Sequence, residues 1–232
     1  MKRKLVLFDI DGTLLLTQGA GRRALTAAMA HLVGDLEVFR RVRFDGKTDP
    51  QIVAEILTLA GVPEPALNQR IEELCQSYVG LLERELRPGT PAVRVLPGVG
   101  PLLERLEAEA SVVLGLLTGN LSAGAALKLR AARLDPSRFT VGAFGSDSAD
   151  RPRLPAIAAR RARPFFGREP RGQEIVIVGD TPADVTCGLG VGARAVAVAT
   201  GSYALAELTA AGAHAAFEDL AATEAVVQAI LA

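Results

Sequence analysis

The stretch VLFDIDGTLL, residues 6–15, places two aspartates inside an otherwise apolar run. The segment that leads to the first of them, KLVLFD (4–9), is continuously apolar rather than alternating. Such runs are typical of strands in a parallel sheet, which is covered on both faces. Asp9 and Asp11 therefore stand at the end of a buried strand, where two charged side chains need a chemical reason.

Four further runs of this kind follow along the chain: SVVLGLLTG (111–119), FTVGAFG (139–145), EIVIVGD (174–180) and ARAVAVAT (193–200). Helical patterns lie between them, at 99–109, 122–132, 155–162 and 184–189. Strands that alternate with helices indicate βαβ crossovers. The sequence predicts an α/β fold with a doubly wound, Rossmann-like parallel sheet as its core.

Residues 17–91 interrupt this alternation, because they read as almost wholly helical. A stripe of apolar residues at three- and four-residue steps predicts one amphipathic helix: Leu67, Ile71, Leu74, Tyr78, Leu81 and Leu82. Pro88, Gly89 and Pro91 indicate a hinge back to the sheet. We predict a core domain of residues 1–16 and 92–232 and a small inserted helical cap domain of residues 17–91.

Composition excludes several classes of function. The 232 residues carry a formal net charge of zero, which gives no footprint for nucleic acid or an anionic membrane. No apolar segment approaches the roughly 20 residues that span a bilayer. Cys75 and Cys187 lie far apart and form no metal-binding pair. We expect a cytoplasmic protein with reduced cysteines and without nucleic-acid or membrane partners; the sequence does not indicate its oligomeric state.

Three of the predicted strands end in polar residues. The first is followed by Asp9-Ile10-Asp11-Gly12-Thr13, another by Thr118-Gly119-Asn120, and a third by Asp180-Thr181-Pro182-Ala183-Asp184. Open α/β sheets bind their ligands beyond the carboxyl ends of the strands. We therefore expect the three clusters to converge on one edge of the sheet.

Four aspartates at one edge, Asp9, Asp11, Asp180 and Asp184, would repel one another unless a cation or a proton intervenes. Oxygen ligands without histidine or cysteine favour a hard ion, most simply Mg²⁺. The carboxylates do not saturate the ion, which leaves positions for water and a substrate phosphate. Small, donor-rich surroundings for phosphoryl oxygens are offered by Gly12, Thr13, Thr118 and Gly119.

This constellation resembles the haloacid-dehalogenase-like superfamily of aspartate-nucleophile phosphohydrolases. DIDGT (9–13) is similar to the family's first motif, LLTGN (116–120) to its second and VGDTPAD (178–184) to its fourth. The helical insertion after the first motif matches a cap. Within the superfamily the chain looks closest to phosphoglycolate-phosphatase-like and β-phosphoglucomutase-like members.

The resemblance implies a role for each matching residue. Asp9 would be the nucleophile that forms an aspartyl-phosphate, and Asp11 the general acid and base. Mg²⁺ would be held by Asp9, the main-chain carbonyl of Asp11 and Asp180, with Asp184 as a ligand or close behind one. Thr118 and the backbone near Gly119 and Asn120 would bind the phosphoryl oxygens.

The third motif departs from the family pattern, which usually supplies a lysine before the fourth-motif strand. Arg151-Pro152 occupies that place here, and Lys128, on the helix after Thr118, is the rival. An arginine can neutralise phosphate and aspartates, although its forked head is not a point charge. Both residues stay candidates, and both could contribute.

The segment FDGKTDP (44–50) is polar and contains a glycine amid apolar helices. It resembles the substrate-contacting loop of related caps, with Lys47, Thr48 and Asp49 as candidate contacts. Thr48-Asp49-Pro50 also fits a plain helix N-terminus.

The resemblance implies a Mg²⁺-dependent phosphatase for a small phosphorylated metabolite, such as phosphoglycolate or a sugar phosphate. A phosphosugar mutase uses the same core, and a non-catalytic phosphate-binding module is a further alternative. A hydrolytic dehalogenase fits less well, because such relatives need no metal and lack the aspartate at the position of Asp11.

Overall fold

The computed structural model describes residues 3–33, 37–87 and 93–232. Its strands are β1 (Lys4–Phe8), β2 (Leu15–Leu16), β3 (Arg94–Val95), β4 (Val112–Thr118), β5 (Val141–Phe144), β6 (Ile175–Gly179), β7 (Arg194–Val198) and β8 (Ala215–Phe217). Six of them form a parallel sheet in the order β5-β4-β1-β6-β7-β8. The predicted α/β fold with a parallel, Rossmann-like sheet is confirmed.

Helices cover both faces of this sheet and fill the insertion after β2. They are α1 (Ala20–Met29), α2 (Val38–Arg41), α3 (Asp49–Leu59), α4 (Glu64–Glu85), α5 (Val99–Glu107), α6 (Ser122–Ala131), α7 (Leu154–Arg161), α8 (Arg163–Phe166), α9 (Pro182–Cys187), α10 (Leu205–Ala210) and α11 (Thr223–Leu231). In the described residues, no helix is both long and apolar enough to cross a membrane.

Successive residues of β1 pack on opposite faces of the sheet. Val6 and Phe8 join an apolar cluster with residues of α5 and α11, whereas Leu5 and Leu7 join a second cluster with residues of α7. All five residues of β1 are buried. This double coverage explains why the strand reads as a continuous apolar run.

The helices α1, α3 and α4 surround an apolar cluster of their own. In α4 the side chains of Leu74, Tyr78 and Leu82 are buried in it, at the spacing that the sequence predicts. The predicted hinge residues Pro88, Gly89 and Pro91 lie outside the described residues.

A short antiparallel ladder joins the two sides of the helical insertion. Leu15 pairs with Val95, and Leu16 pairs with Arg94. Strand β1 itself lies between β4 and β6, with Phe8 in register with Leu116 and Val178. The ends of these three neighbouring strands therefore lie side by side, which sets the position of the site.

Candidate active site

Three buried aspartates meet where β1 and β6 end. Asp9, Asp180 and Asp184 each offer a carboxylate oxygen, and these oxygens lie within 4.8 Å of one another. Asp9 is tied to the neighbouring strand because its backbone amide donates to the Val178 carbonyl at 2.9 Å. The structure thus brings together acidic residues that are about 170 positions apart in the chain, as the strand-end argument predicts.

The loop after β1 holds the Asp180 side chain in place. The Thr13 hydroxyl donates to Asp180 Oδ1 at 2.9 Å. Gly12 has a φ of +84°, and a Cβ there would come within 2.3 Å of Asp180 Oδ2, so only glycine fits. Thr13 and Gly12 lie behind Asp180 rather than on the cavity wall. Their contact with phosphoryl oxygens stays a prediction.

Asp184 is bound on both of its oxygens. Its Oδ2 accepts hydrogen bonds from the Thr181 amide at 3.0 Å and the Thr181 hydroxyl at 2.7 Å. The Asp184 amide donates in return to the Thr181 hydroxyl oxygen at 3.2 Å, which completes the capping box of α9. Its Oδ1 accepts from Nη2 of Arg151. The same Nη2 lies 3.3 Å from Asp9 Oδ1. Asp184 therefore holds the Arg151 guanidinium against Asp9.

Lys128 faces the other acid of the first motif. Its Nζ lies 2.6 Å from Asp11 Oδ2 and donates to Asn120 Oδ1, also at 2.6 Å. Asn120 Nδ2 donates to Asp11 Oδ2 at 2.8 Å and to the Thr118 hydroxyl at 2.7 Å. The sequence offers Lys128 and Arg151 as alternative candidates for the cation of the third motif. The structure places both in the site, Lys128 at Asp11 and Arg151 at Asp9.

Burial dominates the electrostatics of the acidic cluster. Burial and, next, the charge of Asp184 raise the pKa of Asp9 to about 7, although Arg151 acts to lower it. The pKa of Asp180 is also well above its ordinary value, first through burial and then through Asp184 and Asp9. In the protein alone, nearby positive charge therefore does not fully offset the burial and mutual repulsion of these carboxylates.

The donor set fits a hard divalent cation. Three carboxylates converge, and the cluster contains neither a histidine nor a cysteine ligand. Oxygen-only surroundings match Mg²⁺ better than a thiophilic metal. A cation there would also offset the repulsion that raises the pKa of Asp9 and Asp180.

A cavity of about 230 Å³ separates this cluster from the inserted helices. Its wall includes Asp9, Asp11, Thr118, Gly119, Asn120, Lys128, Arg151 and Asp180 from the sheet side. On the opposite side lie Lys47 and Asp49, two of the three residues that the sequence suggests as cap contacts. A space of this volume holds a small ligand.

The segment 44–50 is hydrogen-bonded to the sheet domain. The Asp49 amide donates to the Gly119 carbonyl at 2.8 Å, and Asp49 Oδ2 accepts from the Leu121 amide at 2.9 Å. Thr48 caps α3, since its hydroxyl accepts from the Gln51 amide at 3.2 Å, and it donates to the Ala149 carbonyl at 2.8 Å. The Thr48 hydroxyl is thus occupied by protein groups and does not line the cavity.

The cavity wall also contains residues outside the motifs that the sequence identifies: Thr17, Gly19, Gly21, Arg22, Leu25, Ile52 and Tyr78. Four more, Phe44, Asp45, Gly46 and Thr181, lie within those motifs but were not candidate contacts. Tyr78 belongs to the apolar stripe of α4, and the spacing identified it as a core residue. Its position beside the cavity depends on how α4 packs on α1, which no local pattern in the sequence records.

Comparisons with known structures support the fold. A predicted phosphoglycolate phosphatase from Haemophilus somnus matches with a TM-score of 0.71 at 20% identity, covering 98% of this chain and 99% of the other. CbbY from Rhodobacter sphaeroides matches with a TM-score of 0.71 at 22% identity, over 94% and 95%. A β-phosphoglucomutase from Clostridium difficile matches with a TM-score of 0.71 at 19% identity, over 100% and 98%.

The sequence comparison is more specific. Among curated proteins, none matches this chain. The sequence model of one family, described as haloacid dehalogenase-like hydrolase, matches residues 6–188, a span that runs from β1 through α9. That span contains the acidic cluster and both of its cationic neighbours. The chain therefore belongs to the haloacid dehalogenase-like hydrolase family.

Proposed function

We propose that this chain is a Mg²⁺-dependent phosphatase that hydrolyses a small phosphate monoester through an aspartyl-phosphate. The observation that best supports this proposal is that two aspartates with different surroundings line one cavity. Asp9 lies in a buried carboxylate cluster with Arg151, whereas Asp11 lies on the same wall and contacts Lys128. A site that only binds phosphate does not require two acids in such different surroundings.

Asp9, Asp180 and the main-chain carbonyl of Asp11 are the proposed holders of Mg²⁺. Asp184 lies beside them, as a further ligand or as the support of Arg151. When bound, Mg²⁺ supplies positive charge that offsets the repulsion between the carboxylates and a phosphate dianion.

In the proposed reaction, a carboxylate oxygen of Asp9 bonds to phosphorus while the bond from phosphorus to the ester oxygen breaks. Asp11 gives a proton to the leaving oxygen. In the second step, water attacks the phosphorus of the aspartyl-phosphate, Asp11 takes a proton from that water, and phosphate and Asp9 separate. Lys128 and Asn120 hold Oδ2 of Asp11, so Oδ1, which has no partner in the described chain, is the oxygen that exchanges the proton.

Thr118 and the amides near Gly119 and Asn120 are the proposed contacts of the phosphoryl oxygens, with Lys128 and Arg151 neutralising charge. The helices within residues 17–91 are the proposed cap, and segment 44–50 is the part that closes on the site. The proposed ligand is a small phosphorylated metabolite, such as phosphoglycolate or a sugar phosphate. The proposed setting is the cytoplasm, which the free thiols of Cys75 and Cys187 fit.

A phosphosugar mutase is the second candidate, and the contact between cap and core favours it. Hydrogen bonds from the Asp49 amide to Gly119 and from Thr48 to Ala149 hold segment 44–50 against the sheet domain. A mutase needs water excluded from its site, which a segment held in this way favours. Product analysis separates the two functions, since a phosphatase releases phosphate and a mutase returns an isomerised sugar phosphate.

The decisive experiment measures phosphate release from a panel of small phosphate monoesters with Mg²⁺ and with EDTA. Asp9→Asn should lower kcat by three orders of magnitude or more, because the amide is a poor nucleophile (estimate on the order of 10³). Asp150→Asn, on an exposed side chain, is the control and should leave kcat unchanged. Full activity in Asp9→Asn would refute the mechanism.

A further inference from the structure

Tyr78 has a hydroxyl group that the protein leaves without a partner. The residue is 1% exposed, and no side chain or backbone group of the described residues is hydrogen-bonded to its hydroxyl. The residue nevertheless lines the cavity. The side-chain atoms that are both fully buried and unpartnered in the described chain are Arg151 Nε and Arg194 Nε, and the Tyr78 oxygen is not one of them. The hydroxyl therefore opens on the cavity, where a ligand can reach it.

The Tyr78 hydroxyl and the Lys128 ammonium face the same point in space. A Cβ at Gly21 would lie 3.6 Å from the Tyr78 oxygen and 3.5 Å from Lys128 Nζ. Because residue 21 is a glycine, this point stays open, and Gly21 also lines the cavity. Helices α1, α4 and α6 thus leave a small polar recess beside the Lys128 ammonium, which contacts Asp11.

The cations on the cavity wall are already engaged by protein groups. Lys47 forms an ion pair with Glu55, and Arg22 stacks on the Phe44 ring at 3.9 Å while donating to the Phe39 carbonyl at 3.1 Å. The other two are Lys128 and Arg151, which are bound to the aspartates of the site. Carboxylates on the wall number five: Asp9, Asp11, Asp45, Asp49 and Asp180.

This balance disfavours a second anionic group on the substrate. The charge of Mg²⁺ and that of a phosphate dianion cancel, and the described wall then holds five carboxylates against four cations. Within the described chain, Arg22 alone among these cations has no carboxylate partner, and its guanidinium is stacked on Phe44. A neutral hydroxyl can instead accept a hydrogen bond from Tyr78 without adding charge. Burial, with Asp49 and Asp11 nearby, raises the pKa of Tyr78, so its hydroxyl remains a donor.

We propose that Tyr78 is a specificity-determining residue, and that its hydroxyl binds a hydroxyl group of the leaving alcohol. The inference rests on the proposed phosphatase function and narrows its substrate class to phosphate esters of neutral, hydroxylated alcohols. Esters that carry a carboxylate, such as phosphoglycolate, are disfavoured. A site that hydrogen-bonds a substrate hydroxyl discriminates against analogues that lack it.

The test compares kcat/KM for matched esters in the presence of Mg²⁺: 2-hydroxyethyl phosphate against ethyl phosphate, glycerol 1-phosphate against propyl phosphate, and 2-phosphoglycolate. The wild-type chain should prefer the hydroxylated member of at least one pair by about tenfold, the value of one neutral hydrogen bond. Tyr78→Phe should abolish that preference while it changes kcat/KM for ethyl and propyl phosphate by less than about twofold. Since the hydroxyl has no protein partner, the Phe variant should unfold at no lower temperature than the wild type.

Gly21→Ala provides a second variant, because its methyl group would fill the recess at ordinary contact distances and alanine favours the helix. It should lower kcat/KM for the hydroxylated esters more than for the alkyl esters. A wild-type preference for 2-phosphoglycolate, or an equal loss for all esters in Tyr78→Phe, overturns this inference and leaves the phosphatase proposal standing. If the wild type hydrolyses none of the esters, the proposed function fails and this inference with it.

Discussion

At the scale of single residues, Arg151 links two aspartates of the site, which the single ammonium group of a lysine would do less well. One nitrogen of its planar head contacts both Asp184 and Asp9, and the side chain is buried. Its Nε has no hydrogen-bond partner in the described chain. The guanidinium thus links the capping box of α9 to Asp9, and it does so without satisfying all of its own donors.

Arg151→Met should destabilise the metal-free protein at neutral pH, because it leaves buried carboxylates uncompensated. We expect a loss of about 3 kcal/mol in the free energy of unfolding, measured by urea denaturation. Arg151→Lys keeps the charge and should lose less than half of that. Arg153→Met, whose side chain is 76% exposed, is the matched control and should change stability by less than about 0.5 kcal/mol. Equal stability of Arg151→Met and wild type would show that the ion pairs contribute nothing.

Asp49 should make stability depend on pH. Burial raises the pKa of this carboxyl to about 6, although Lys128 and the Leu121 amide oppose the shift. The folded state therefore holds a proton that the unfolded state has released between pH 4 and 6, and stability falls as the pH rises through that window. In Asp49→Asn, with EDTA present, the fall from pH 4 to 7 should be smaller by up to about 3 kcal/mol. An unchanged pH profile of the unfolding free energy would contradict this assignment.

The sequence identifies the acidic residues of the site, because aspartates at the ends of apolar runs must gather where parallel strands end. It does not decide between Lys128 and Arg151, since both lie on segments whose approach to the site depends on tertiary packing. The spacing of apolar residues assigns Tyr78 to a core, and its ring does lie in an apolar cluster. The same spacing contains no information on the surroundings of the hydroxyl. Side-chain partners are thus less predictable than residue positions.

At the scale of elements, the segment 44–50 rests on Gly119, and this contact requires a glycine. A Cβ at residue 119 would lie 2.0 Å from the Lys47 carbonyl oxygen and 2.9 Å from the Thr48 Cα. These atoms belong to the backbone, so the clash is relieved only by moving the segment. The second motif, residues 116–120, therefore supports segment 44–50 and is also a candidate phosphate-binding site.

Gly119→Ala should separate cap closure from core stability. We expect the hydrogen bond from the Asp49 amide to Gly119 to open, with faster hydrogen exchange at that amide and at least a tenfold lower kcat/KM (order of magnitude from the cost of misplacing a site element). Gly80→Ala, in an open, exposed position of α4, is the control and should add about 0.5–1 kcal/mol of stability. Unchanged protection of the Asp49 amide would contradict the role of this contact.

In the sheet domain, five strands and four helices are predicted from the sequence, and their observed bounds differ from the predicted ones by at most two residues. Helix α9 begins at Pro182, earlier than predicted, because Thr181 caps it. Strands β2, β3 and β8 were not predicted. They have two or three residues each, too few for periodicity to register, and they exist because neighbouring strands lie beside them.

At the scale of the whole molecule, the acidic cluster opposes folding in the absence of a cation. Ionising Asp9 and Asp180 in their buried positions is unfavourable, as the raised pKa of each shows. The sheet tolerates the cluster because the continuous apolar strands on both of its faces supply the stability. Binding of a cation to the folded state alone should recover part of the loss.

Mg²⁺ should therefore raise the unfolding temperature of the wild-type chain, and EDTA should reverse the effect. At a Mg²⁺ concentration about 100 times its Kd, the gain in unfolding free energy is about 2.7 kcal/mol. Asp180→Asn should behave in the opposite way: in EDTA it should unfold at a higher temperature than the wild type, because one buried charge is removed, and Mg²⁺ should give no further rise. Differential scanning calorimetry of both proteins, with Asp150→Asn as an exposed control, measures these shifts. A Mg²⁺-dependent rise that persists in Asp180→Asn would place the cation elsewhere. A lower unfolding temperature of this variant in EDTA would show that the hydrogen bond from Thr13 to Asp180 outweighs the repulsion among the carboxylates.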